Sequence, residues 1–286
     1  MNKEDYPTLF RDADEVSLRA QKNYYLSITC YLILLVTASI MSLYGINSKT
    51  FAIIAAFLFL ATIATNIFIL TKRNNEIWYN ARAVVESVRT ITWKFIMRAE
   101  PFDSAGAERR FLEILNNIIN QNKNLLLELS KVLTQHHQIT EKMKEIRNMS
   151  VKERFDFYLK HRVEDQLKWY SKKAKENSKS RTKWFILMIG LQTFAVIFVL
   201  CRIAWPEFKY WPPEVLAVAS GGILTWIHVK KFQDLSSAYS LAAYEISIIK
   251  AGATNINTEE DLSNFVLDTE NAFSREHTQW IARKDH

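Results

Sequence analysis

Trp78, Arg82, Glu86 and Thr90 stand four residues apart and so share one face of a helix. Arg82 is placed to pair with Glu86 and to lie over the ring of Trp78 as a cation–π contact. A charged face interleaved with rings suits either a ligand or partner surface or an internally paired packing face. Glu245, in Leu-Ala-Ala-Tyr-Glu-Ile-Ser, lies 159 residues after Glu86, in Ala-Arg-Ala-Val-Val-Glu-Ser. The two glutamates form a candidate pair of coupling positions. Leu241 stands where Arg82 would recur, so that charge is not repeated.

Other chemical groupings are weaker. Glu270, Ser274, Arg275, Glu276, His277 and Trp280 bring a hydroxyl, carboxylates and an imidazole close in sequence. Neighbours on a helix point about 100° apart, however, and nothing supplies an orienting group or an oxyanion hole. His136-His137 lacks Cys or carboxylate partners at metal-ligand spacing. There is no glycine-rich phosphate loop and no G-x-G-x-x-G. No catalytic, cofactor-binding or metal-binding residues are expected, and the chain does not read as an enzyme.

Two amides, Asn66 and Gln192, sit inside long apolar runs, and those runs dominate the chain. They cover about 25–44, 51–70, 184–204 and 213–229. Each approaches the roughly 20 apolar residues a helix needs to cross about 30 Å of hydrocarbon. They come as two hairpins about 159 residues apart, matching the Glu86–Glu245 offset, so the chain reads as a duplication. Residues 1–148 form the first two-span unit and residues 149–286 the second. The Ser and Thr residues of the spans can bond their own helix backbone. Asn66 and Gln192 need a partner, either another helix or a water-filled path. No span carries a charge near its middle, which argues against a proton-coupled pump.

The net charge of +7 is concentrated beside the spans. Lys172, Lys173, Lys175, Lys179, Arg181 and Lys183 precede the third span. Lys72 and Arg73 follow the second, and Lys230 and Lys231 the fourth. The hairpin tips hold only Lys49, Arg202 and Lys209. Positive charge at span ends marks the cytoplasmic side, which predicts cytoplasmic termini and outward tips. The partner implied is the lipid bilayer, not nucleic acid. Cys30 and Cys201 fall in predicted spans, where no disulfide framework is implied. The first 23 residues have mixed charge and no cleavable leader pattern.

With six Gly and five Pro, the remainder should be almost wholly α-helical. The expected fold is an all-α membrane protein, with four transmembrane helices and long cytoplasmic helices. Helix is predicted to run from the second span to Pro101, and from the fourth to Lys250. From Ala107 to Arg147 a heptad-like seam runs through Leu112, Leu115, Ile119, Leu126, Leu129 and Leu133, with polar interruptions at Asn122, His136 and Thr140. It predicts one long helix, packing either within the subunit or between subunits.

The juxtamembrane residues Trp78-Tyr79-Asn80-Ala81-Arg82 through Glu86-Ser87, then Trp93 and Met97-Arg98-Ala99-Glu100-Pro101-Phe102, resemble the SLATT family. Arg162 through Asp165-Gln166-Leu167 to Trp169-Tyr170, and Glu270 through Ser274-Arg275-Glu276-His277 to Trp280, are similar to it as well. The resemblance covers nearly the whole chain as two fused units. It implies a bacterial inner-membrane effector of antiviral or inter-genomic conflict. Such an effector would oligomerise with its own copies and open a pore on a signal from a nucleotide-producing or nucleotide-sensing partner protein. It carries over no catalytic residues. The alternative is a non-conducting scaffold that anchors a soluble partner.

Overall fold

The computed structural model describes residues 1–133, 137–253 and 256–282, with side chains as far as Ser274. Among these residues every regular element is helical. The helices are α1 (Thr8–Gly45), α2 (Lys49–Lys72), α3 (Asn74–Ile96), α4 (Ala107–Gln121), α5 (Leu126–Ser130) and α6 (Glu141–Arg147). They continue with α7 (Val151–Tyr158), a π-helical segment (Leu159–Glu164), α8 (Asp165–Ala204), α9 (Pro213–Lys230), α10 (Phe232–Ala251) and α11 (Glu259–Ala282). By contacts the chain divides into two compact units. Unit 1 is Met1–Gln21, Asn75–Ala174 and Ser237–His286; unit 2 is Lys22–Asn74 and Lys175–Ser236.

Unit 2 holds the apolar runs. Three helical stretches, Thr8–Gly45, Lys49–Ile96 and Val151–Ala204, are long and apolar enough to cross a membrane. The fourth run, α9, has 18 residues, about 27 Å of helix, with a Gly-Gly pair in its middle. Phe57, Leu60, Ile63, Ile67, Ile186, Phe194, Leu200 and Ile203 all point outward. A shell of large exposed apolar side chains fits hydrocarbon as solvent, not water. At the first tip a Cβ on Gly45 would lie 3.0 Å from the Cα of Ala52, so glycine lets the two helix ends meet. Tyr210 of the second hairpin's loop lies 5.3 Å from the Tyr44 ring in a tilted arrangement and receives a hydrogen bond from the Asn47 amide. At the other end Lys230 Nζ lies 3.4 Å above the Tyr25 ring, and Trp226 is 6.0 Å from Tyr25.

Unit 1 is built on one buried cluster. The 3–4 spacing of Ala81, Val84, Val88, Thr92 and Phe95 turns one face of α3 inward. Leu9, Ala13 and Val16 of α1, Ile246 of α10, and Leu262, Val266 and Phe273 of α11 pack into the same core. The stretch after α3 is where Met97 to Phe102 goes. Arg147 donates to the carbonyls of Phe95 and Phe102, and Arg154 to those of Met97 and Met149. These guanidiniums cap the carbonyls left open at a helix C-terminus and suit its negative end. Around them Phe95, Phe102 and Phe111 form a three-ring cluster.

The single helix predicted over Ala107–Arg147 is not formed. α4 stops at Gln121 because the Asn122 amide folds back to donate to Ile118 O (2.9 Å), a local bond that competes with the helix. Thr140 is the N-cap of α6; its Oγ1 accepts from Met143 N–H and donates to Asp5 O. Two of the polar interruptions in the seam are therefore helix ends. The third, His136, lies outside the described residues. The seam divides accordingly: Leu115 and Leu129 are buried, Ile119 packs at the core's edge, and Leu112, Leu126 and Leu133 are exposed. The helices predicted to run unbroken past the second and fourth spans are interrupted at Arg73 and Lys231. Both adopt left-handed backbone, with φ of 46° and 49°.

Candidate functional site

Asn66 and Gln192 lie on α2 and α8 and both face outward from unit 2. Neither amide has a hydrogen-bond partner within the described chain. The span hydroxyls behave differently. Ser27, Thr37, Thr65, Thr193 and Thr225 each donate to the carbonyl four residues back, at 2.8–3.0 Å. Among the described residues the buried Ser220 hydroxyl on α9 has no partner. These five hydroxyls are satisfied locally, whereas the two amides are presented outward.

The charged face of α3 is in unit 1. Arg82 reaches Glu86 at 2.5 Å and approaches Asp14 of α1 at 4.0 Å. Trp78 is buried and stacks on Tyr79 (4.8 Å). Glu86 also takes both hydrogen bonds of the Arg89 Nη1 group at 2.9 Å, and Lys3 pairs with Asp14 at 2.7 Å. The result is an alternating chain, Lys3–Asp14–Arg82–Glu86–Arg89. The Arg89 guanidinium lies over the Phe10 ring (5.2 Å). Thr90 leaves this face and donates to Glu270 at 2.9 Å. Glu245 is half-buried on α10 and does not line the cavity that Glu86 borders.

That cavity, about 540 Å³, opens beside the Arg82–Glu86–Arg89 row. Its walls include Tyr6 and Phe10 of α1, Trp93 of α3, Arg162 of the π-helical segment, and Trp169 and Tyr170 of α8. Arg162 is 3% exposed and meets a fully buried Glu270 of α11 through two parallel bonds of 2.8 and 2.7 Å. Tyr158 donates to the same carboxylate at 2.9 Å. Burial, and then the charge of Glu270, push the Tyr158 phenol well above its ordinary pKa, so its proton stays in place. Burial also raises Tyr6, whose oxygen accepts from the Trp93 indole N–H at 3.0 Å. His161 is held below the ordinary histidine value by burial and by positive neighbours, Lys160 among them.

The Arg162–Glu270 pair and the arginine clasps around Met97–Phe102 were not singled out from spacing. A signal existed for Arg162: with Tyr158, Val163 and Tyr170 it shares the buried side of a helical run. The side chains of Arg275, Glu276, His277 and Trp280 lie outside the described residues, and Ser274 is exposed.

Two family models match the chain in tandem. Residues 7–155 match SMODS and SLOG-associating 2TM effector domain 3, and residues 158–280 match SMODS and SLOG-associating 2TM effector domain 1. No curated protein and no solved structure matches.

Proposed function

Since the chain belongs to the SLATT family and carries two of its two-transmembrane effector modules in tandem, a membrane module of conflict systems, we propose that it acts as a pore. In this reading it resides in the bacterial inner membrane, associates with its own copies, and opens to ions. The trigger is a signal delivered to unit 1 by a nucleotide-producing or nucleotide-sensing partner protein. It performs no catalysis of its own.

The outward, unpartnered amides of Asn66 and Gln192 carry this reading. An amide facing hydrocarbon is unfavourable until it finds a partner, and interhelical bonds of this kind contribute about 0.6–2 kcal/mol each. A neighbouring copy, or water in a shared lumen, supplies what the single chain does not.

Unit 1 supports an even number of crossings. Its core draws on chain before the first span, between the second and third, and after the fourth: Leu9, Val88, Tyr158, Ile246 and Val266. Segments that share a core lie on one side of a membrane, so each hairpin goes out and returns, α9 included. The basic residues beside the spans favour the cytoplasm for that side.

The test is membrane potential and dye entry in bacteria induced for the chain, with and without its natural neighbours. Wild type should depolarise the cell. Asn66→Leu combined with Gln192→Leu should insert normally and depolarise at least tenfold less. Undiminished depolarisation in the double variant would remove the amides from the mechanism. A membrane that stays tight under every condition would favour a scaffold. That second reading draws on the exposed apolar residues Leu112, Leu126, Leu127 and Leu133, which could seat a soluble partner.

A further inference from the structure

The cavity of unit 1 has a composition that internal packing does not explain. Each guanidinium carries five N–H donors and no acceptor. Arg162 uses Nε and Nη2 on Glu270, and among the described residues its Nη1 takes no bond. Arg89 uses Nη1 alone, on Glu86. Among the described residues Arg82 pairs with Glu86 and Asp14, and Lys3 with Asp14. Three carboxylates line the space, Asp14, Glu86 and Asp165, and Glu270 stands behind Arg162, so these four cationic side chains face four carboxylates. The guanidinium edges that these carboxylates do not take up offer N–H donors in fixed geometry, which suits an occupant with acceptor oxygens such as a phosphate.

The rest of the wall is aromatic. Tyr6, Phe10, Trp93, Trp169, Tyr170 and Tyr239 all border the cavity. Trp169 is 37% exposed even though Tyr170 and Tyr239 touch it at right-angled geometry, 5.1 and 5.2 Å away. An indole left open in a cavity wall offers its face to a flat ring. Arg162 sits where the helix takes π-helical winding, a distortion that accompanies functional sites.

We propose that this cavity binds a small phosphorylated aromatic compound. The ring lies against Trp169 and its neighbours, and the phosphate meets Arg89 and the open edge of Arg162. The site would be where unit 1 receives its signal, and to that extent it rests on the function proposed above. Because Arg162 also holds Glu270, an occupant reaches α11 through a contact that already exists.

The experiment titrates the full chain in detergent micelles with the four common nucleoside monophosphates, read by calorimetry and tryptophan emission. The matching nucleosides supply the ring alone; inorganic phosphate and glycerol phosphate supply the anion alone. At least one monophosphate should saturate, with its nucleoside and both phosphates binding at least tenfold more weakly. Trp169→Ala and Arg89→Gln should each weaken it at least tenfold, with Trp169→Phe restoring most of the loss and circular dichroism confirming an unchanged fold. Equal binding of ring-free phosphates would overturn the aromatic half of the proposal. No binding up to millimolar concentration would overturn all of it. Binding is read without ion flux, so a chain that binds yet never depolarises keeps the site and loses the pore. A chain that depolarises without binding loses the site alone.

Discussion

Glu270 accepts four hydrogen bonds, two from Arg162 and one each from Tyr158 and Thr90, with no exposure to solvent. A carboxylate saturated in this way is stable only while its counterion remains, since an uncompensated buried charge costs more than the pair contributes. Glu270→Gln leaves the Arg162 charge in the core and should lower stability by about 3–5 kcal/mol, read as a fall in thermal midpoint. The double replacement Arg162→Met with Glu270→Leu removes both charges and should recover most of that loss. A Glu270→Gln protein as stable as wild type would mean the pair is not charged in the folded state. None of this follows from spacing, because Arg162 and Glu270 are 108 residues apart and only packing brings them together.

Helix breaks were the least legible elements. Scarce Gly and Pro suggested long unbroken helices, yet the chain turns at Arg73 and Lys231 using cations in left-handed backbone, where Gly is the usual choice. The two breaks recur at matching places after α2 and α9, as expected of a duplication. A cation at a helix C-terminus gains from the helix dipole, about 0.3–1 kcal/mol, which offsets part of the backbone strain. Arg73→Gly should therefore leave the thermal midpoint near wild type. Arg73→Val places a β-branched side chain in that conformation and should cost at least about 1–2 kcal/mol. Equal stability of the two variants would mean the break is not a fixed feature. The Ala107–Arg147 seam failed for a related reason. Asn122 and Thr140 looked like polar interruptions of a heptad but act as a helix stop and a helix cap. Continuous apolar runs translate directly into the three long apolar helices. Heptad-like periodicity is a poorer guide where short polar side chains bond the backbone instead.

At the scale of the whole molecule, the proposed four crossings depend on α9, which is the shortest run and about 27 Å long. If α9 stayed on the outer face, α10 and α11 would be stranded there. Ile246, Leu262, Val266 and Glu270 could then not join the core that contains Val88 and Tyr158. In the proposed topology the shared core of unit 1 requires α9 to cross, with Lys230 and Lys231 at its inner end by the same charge rule that is applied to Lys72 and Arg73. Single cysteines report this directly in a background with Cys30→Ala and Cys201→Ala. An impermeant maleimide added to intact cells should label Asn47→Cys in the first tip and Lys209→Cys in the second. It should spare Lys123→Cys, after α4, and Ser247→Cys, on α10, until the cells are opened. Labelling at position 247 in intact cells would mean three crossings, and the shared core of unit 1 could not then form in the membrane.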